Sequence, residues 1–228
     1  SRFEELVGLL EEGTDRQITA HLESFHHSDL ADAVGLITGG LRKRLLALVK
    51  VELDPDLLFE LEDHLRHEVT DSLSPKEVAE VISEMDSDEA VQVLEDMDEE
   101  ERVEILSEVP EEEREDIEVG LAYPEDTAGR RMQTDFVSVG TNWTVGQTID
   151  YLRDEEDLPD EFFDLFVIDE ASKPLGVISL SRILRSPRPT LMSEITDETQ
   201  VIVPAEMSQE EVPLLFEKYD LTTAGVVN

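Results

Sequence analysis

The chain has 228 residues, 57 acidic side chains against 18 basic ones, a formal charge of −39, 39% hydrophobic and 5% aromatic residues, and no cysteine. That length allows two compact domains with aliphatic cores. The charge excludes the basic footprint that nucleic acid or an anionic membrane surface requires. Without cysteine there are no disulfides, no thiolate catalysis and no Cys-based zinc or iron–sulfur sites. No apolar run approaches the roughly 18–20 residues of a membrane span, and no signal peptide pattern is visible. The chain opens on Ser1 rather than Met, as expected of a fragment or processed chain.

Amphipathic segments come first, at 3–10, 18–25, 30–37, 41–51 and 57–69. From 73 to 121 the pattern sharpens to a period of twelve. Val78, Val81, Ile82 and Met85 recur as Ala90, Val93, Leu94 and Met97, then as Arg102, Ile105, Leu106 and Val109. They recur weakly as Arg114, Ile117, Glu118 and Leu121. The 3,1,3 spacing is the buried stripe of a short helix. Breaks at Ser74-Pro75, Asp86-Ser87, Asp98-Glu99 and Val109-Pro110 separate the units, with Asp or Ser suited to N-caps and Pro to the first turn. The pattern predicts a small α-solenoid. Between Ser74 and Gly120 it carries twenty Asp or Glu against Lys76, Arg102 and Arg114. Such a face repels itself unless a basic partner, high salt or divalent cations cover it.

The character changes after Tyr123. Pro124-Glu125-Asp126-Thr127-Ala128-Gly129 is a turn-rich junction. Strands are expected at 136–139, 162–168 and 175–179, a helix at 144–152 capped by Thr144, and a short helix at 180–184. Pro187 and Pro189 mark a linker. A second copy follows, in which Met192 corresponds to Met132, Ser208–Phe216 to 144–152 at an offset of 64, and Val226-Val227 to Val167-Ile168. It stops at Asn228, before a last strand and helix. Because a buried sheet edge needs its partner, the natural protein is expected to continue.

The acidic helical stack, the run from Tyr123 to Met132 and the tandem βαββα pattern together resemble the cytosolic region of MgtE-type magnesium transporters. Val167-Ile168-Asp169-Glu170 with Leu175-Gly176-Val177-Ile178-Ser179-Leu180 is similar to the first repeat of a tandem CBS module. Glu210-Glu211-Val212 with Tyr219-Asp220-Leu221-Thr222-Thr223 is similar to the second. The implied fold is α plus α/β. A superhelical stack of short helices occupies 1–123 and a junction 124–134. A first CBS repeat spans 135–187 and an incomplete second one 188–228. The implied function is Mg²⁺ sensing on the cytoplasmic side of the membrane. Cations bridge acidic faces of the helical and CBS domains, compact a homodimer formed through the CBS domains, and favour closure of a transmembrane pore lying C-terminal to this chain. By the same resemblance Glu60, Asp88, Glu89, Glu210 and Asp220 match metal-facing positions, with Asp88 or Glu60 sharing a hydrated Mg²⁺ with Asp220 or Glu210. Mg²⁺ is a hard ion that takes oxygen ligands and keeps several waters, so few carboxylates suffice.

The same residues also fit plainer roles. Asp88 and Glu89 complement a helix N-terminus, and so do Glu210 and Glu211 following Ser208. The clusters at 98–101 and 111–113 fit a solvated face. His64 and His67 share a helix face at i,i+3 with no third ligand in view. His26-His27 precede Ser28-Asp29, which reads as a helix start, and Trp143 before Thr144 reads as a packing staple. Ser179-Leu180-Ser181-Arg182 keeps the hydroxyl of a CBS nucleotide site but places Arg182 where an Asp is expected, which argues against nucleotide binding. No nucleophile elbow or His-Glu-x-x-His motif points to an enzyme. Two rival functions remain, an interaction scaffold for a basic partner and an adenine-nucleotide sensor.

Overall fold

The computed structural model describes residues 2–155, 158–159, 162–171, 173–196 and 202–227. Ser1 and Asn228 lie outside them. The fold divides into two compact units, Ser1–Glu115 and Asp116–Asn228.

The first unit is built from short helices: α1 (Arg2–Glu12), α2 (Asp15–Leu22), α3 (His27–Leu36), α4 (Gly39–Val49), α5 (Pro55–Glu60), α6 (Asp63–Thr70), α7 (Pro75–Ile82), α8 (Ser87–Glu95) and α9 (Glu99–Glu108). The start of α10 (Glu111–Leu121) also falls in it. The last four begin at 75, 87, 99 and 111, so the twelve-residue period is the helix repeat itself. The predicted stripe is the core. Val78, Ile82, Ala90, Val93, Leu94, Met97, Ile105 and Val109 are buried, and α7 packs on α9. Capping sets the phase. The Ser74 hydroxyl accepts from the Glu77 amide while the Glu77 carboxylate accepts from the Ser74 amide, and Pro75 fills the first helical position. Asp98 likewise accepts from the amides of Glu100 and Glu101 at the start of α9.

Two boundaries differ from the sequence pattern. The single helix expected at 57–69 is two, because the chain turns extended at Leu61. Arg66, 5% exposed, is the physical reason. Its guanidinium donates to the carbonyls of Leu58, Phe59 and Leu61 at 2.8–3.2 Å, taking over the terminal carbonyls of a six-residue helix. It also donates to Asp96 Oδ2 at 3.1 Å. The third helix starts at His27 rather than at Ser28, because the His26 ring accepts from the Ser28 amide as N-cap.

The second unit holds the α/β repeats. β1 (Ser138–Gly140), β2 (Asp164–Ile168) and β3 (Pro174–Ser179) form a sheet in that order. β1 is parallel to β2, with Val139 beside Val167, and β2 is antiparallel to β3. α11 (Val145–Asp154), capped by Thr144 in a capping box with Gln147, and α12 (Leu180–Arg185) complete the first repeat. The core beneath is Val137, Val139, Val145, Leu165, Val167, Ile178, Ile183 and Met192. Trp143 packs on its edge, T-shaped against Tyr151 at 5.3 Å. The second copy contains α13 (Met192–Ile195), β4 (Ile202–Pro204), α14 (Val212–Tyr219) and β5 (Gly225–Val227). β4 and β5 repeat the parallel β1–β2 pairing, with Val203 beside Val226. Both Thr222 and Thr223 donate to Asp164, tying the second repeat to β2 of the first.

Helix α14 starts four residues later than the internal repeat predicts. Pro213 has no amide proton and fits only a first turn, so the helix begins at Val212. Ser208 instead forms a turn with Glu211 and a bridge to Thr127. Glu210 therefore sits in a turn before the helix, not in its first turn.

Candidate functional site

The first unit gathers its carboxylates around the N-terminal turn of α8. Asp86 takes the N-cap position and the helix starts at Ser87, at the break read from the sequence. Asp88 and Glu89 then lie in the first turn, half-buried. A carboxylate there gains from the helix dipole. In Glu89 that gain is overwhelmed. Burial, followed by the charges of Asp86, Asp88, Asp56 and Glu60, pushes its carboxyl up to about 7. Burial penalises the ionised form, and like charges close by penalise it further. Two of the four charges that press on Glu89, Asp56 and Glu60, come from α5, some thirty residues away, so the cluster is completed by packing.

The neighbouring elements hold it in place. Asp54 accepts from the amides of Asp56 and Leu57 and caps α5, which carries Asp56 near its start and Glu60 at its end. The Ser28 hydroxyl donates to Glu60 Oε1 at 3.2 Å, linking α3 to α5. Arg66 binds the end of α5 and the Asp96 cap of α8 together, fixing the two helices that bear the cluster. An open cavity of about 630 Å³ beside it is lined by Leu53, Asp54, Pro55, Asp56 and Glu84. The donor set of Glu60, Asp88 and Glu89 is all oxygen, which fits a hard divalent cation.

Of the five residues expected to face metal, the structure brings Glu60, Asp88 and Glu89 into this one cluster. Glu210 and Asp220 lie in the second unit, at opposite ends of α14, a helix about 12 Å long. Both are exposed. Asp220 closes α14 in the left-handed conformation, φ 52°, a cap position that Asp tolerates better than most residues. Asp56 and Asp86 were not singled out from the sequence. Their signal is present, since both sit at helix starts, but nothing local distinguishes them from other acidic residues there. His64 pairs with Glu62 at 3.4 Å and, among the described residues, joins no group of metal-ligating side chains. His27, to which the sequence assigned no chemistry, lies 3.3 Å from Asp56.

In the second unit several carboxylates are paired with donors. Arg188 donates to both oxygens of Asp150, at 2.7 and 2.9 Å, and this hydrogen bonding holds the Asp150 carboxyl below its usual range. Asp126 accepts from Gln209. Burial, helped by Asp116, raises Asp135. The Ser179 hydroxyl caps α12 by accepting from the Arg182 amide.

Fold and site together define an acidic helical-repeat domain followed in the same chain by an α/β repeat module of the CBS type. Residues 4–126 match the family model of the MgtE intracellular N domain, and residues 128–188 match that of the CBS domain. The chain belongs to the MgtE family. It is 26% identical over 222 residues to the magnesium transporter MgtE of Bacillus subtilis, covering 97% of this chain and 49% of that protein. It is 30% identical over 113 residues to that of Enterococcus faecalis, covering 50% of this chain and 25% of that protein. The crystal structure of the cytosolic domain of the Mg²⁺ channel MgtE in complex with ATP superposes with a TM-score of 0.87 at 27% identity, over 99% of this chain and 92% of that one. The chain spans half or less of the length of the curated relatives it matches. Among the described residues no helix is long and apolar enough to cross a membrane.

Proposed function

We propose that this chain is the Mg²⁺-sensing regulatory region of a magnesium transporter, on the cytoplasmic side of the membrane. In this reading Glu60, Asp88 and Glu89 of the first unit and Glu210 and Asp220 of the second take hydrated Mg²⁺. The chain dimerises through its CBS repeats, and its pore lies further along the natural polypeptide. The observation that carries the reading is the Glu89 cluster, where burial and then the repulsion of Asp86, Asp88, Asp56 and Glu60 hold a carboxyl proton near neutral pH. A divalent cation relieves that repulsion, so the ion has a differential free energy to spend on a conformational equilibrium. Mg²⁺ suits the role because it accepts carboxylate oxygens while keeping several waters. With the ion bound, the acidic faces stop repelling, the dimer compacts and pore closure is favoured. With the ion gone, repulsion returns and the compact state loses its advantage.

The test is the radius of gyration by solution scattering during a Mg²⁺ titration at constant ionic strength. A saturable contraction, missing with matched monovalent salt and lost in Asp88→Asn/Asp220→Asn, is expected. Equal contraction with both salts sinks the reading and returns the acidity to a solvated face. A second reading, adenine-nucleotide sensing by the second unit, draws on the ATP complex of the relative above. It requires ATP to raise the melting temperature without Mg²⁺.

A further inference from the structure

His27, Asp54 and Asp56 come from two elements, α3 and the start of α5, and their ligand atoms all lie within 4.8 Å of one another. His27 Nδ1 stands 3.3 Å from Asp56 Oδ2. Metal bonds of about 2.0–2.2 Å place neighbouring ligand atoms roughly 3–3.5 Å apart, so this pair already has the separation of two ligands on one ion. Asp54, within 4.8 Å of both, needs to close by roughly 1.3–1.8 Å at most to reach that spacing. Its carboxylate is oriented by the amides of Asp56 and Leu57, at 2.9 and 3.4 Å, which engage Oδ1. α5 is held against α3 by the bond from Ser28 to Glu60. The open cavity lined by Asp54, Asp56 and Glu84 lets water complete the coordination shell.

We propose that His27, Asp54 and Asp56 form a site for a borderline divalent transition ion, with Zn²⁺ the natural test ion, distinct from the oxygen-only trio of Glu60, Asp88 and Glu89. An ion pair between His27 and Asp56 uses only two of the three groups and needs the imidazole protonated. The site uses all three with a neutral imidazole. Two carboxylates and one imidazole neutralise a divalent ion and leave room for water. The imidazole also supplies selectivity. Hard Mg²⁺ prefers all-oxygen shells, whereas nitrogen donors favour Zn²⁺, Co²⁺ and Ni²⁺. A Mg²⁺-handling chain with such a site on the same unit distinguishes a transition ion from Mg²⁺ by ligand chemistry rather than by size.

Co²⁺ is the probe, because its d–d absorbance reports coordination. The whole chain is titrated at neutral pH in excess Mg²⁺, which occupies oxygen-only sites. One equivalent of Co²⁺ is expected to give a band distinct from aqueous Co²⁺ and to be displaced by Zn²⁺. His27→Gln and Asp56→Asn should weaken binding by at least the roughly 10–100-fold that even outer-shell changes cost. Asp54→Asn should weaken it too, and it keeps the fold because Asn caps a helix as well as Asp. Glu89→Gln should leave the band unchanged, which separates this site from the Mg²⁺ reading. An aqueous-type spectrum, binding abolished by Mg²⁺, or binding undiminished in His27→Gln overturns the proposal.

Discussion

Both units carry an excess of acid, and their best-defined carboxylates are treated differently. The first has 34 acidic against 10 basic residues and the second 23 against 8. In the second unit several carboxylates are matched with donors, although burial and Asp116 raise Asp135. Asp150 takes Arg188, Asp164 takes Thr222 and Thr223, and Asp126 takes Gln209. The outcome at Asp150 is a carboxyl held below its usual range. In the first unit the one large cluster packs carboxylates beside carboxylates, and Glu89 rises to about 7. A matched carboxylate stabilises a fold and responds little to added cation. A crowded one costs stability until a cation arrives, and that debt is what a sensor can use.

The sharpest way to break the contrast is to remove the cation that the first unit does use structurally. Arg66→Ala strips the carbonyls of Leu58, Phe59 and Leu61 of their buried donor and frees Asp96. A loss on the order of 3 kcal/mol in urea unfolding is expected. A loss under about 1 kcal/mol, the range of an exposed pair, would remove Arg66 as the element that fixes α5 to α8.

The second test targets the crowded carboxylate itself. Below its ordinary value of 4.5, Glu89 is protonated in folded and unfolded chains alike. Between 4.5 and about 7 the folded chain keeps the proton that the unfolded chain has lost, so stability from this group falls as pH rises through that window. Above about 7 the loss is complete. Glu89→Gln should flatten this slope in thermal melts, and Mg²⁺ should raise the wild-type melting temperature most above neutral pH. Identical pH profiles for the two proteins would show that the cluster does not act on folding.

The smallest effect belongs to the matched pair. Asp150→Asn should lower the melting temperature less than either change above. The difference should be present above the ordinary carboxyl value of 3.8 and should fade as pH falls through the lowered folded value. A Mg²⁺ response changed by Asp150→Asn would blur the contrast between the units.

The expected α plus α/β fold rests on features that are legible within a dozen residues. Helix starts at 75, 87, 99 and 111 follow from cap residues and a repeating apolar stripe, and Thr144 with Gln147 announces α11 in the same way. The internal CBS repeat is visible because Val139–Val167 and Val203–Val226 preserve one pairing. Three features were not legible, each for a stated reason. The split between α5 and α6 depends on a side chain that reaches back five to eight residues and across to Asp96. The late start of α14 is decided by Pro213, which overrides the repeat offset. The company of Glu89 includes Asp56 and Glu60, some thirty residues away, and His27 meets Asp54 and Asp56 across a similar distance.

Sequence by itself determined where most helices begin, which stripe they bury, that part of one βαββα unit recurs, and that the surface is acidic. Those properties are set by capping, side-chain period and composition, all short-range along the chain. Tertiary structure alone decided which of the many carboxylates crowd one another, which are answered by a donor, and which stand beside an imidazole. Coulomb energies and ligand geometry depend on distance through space, and packing sets that distance only after the helices have docked.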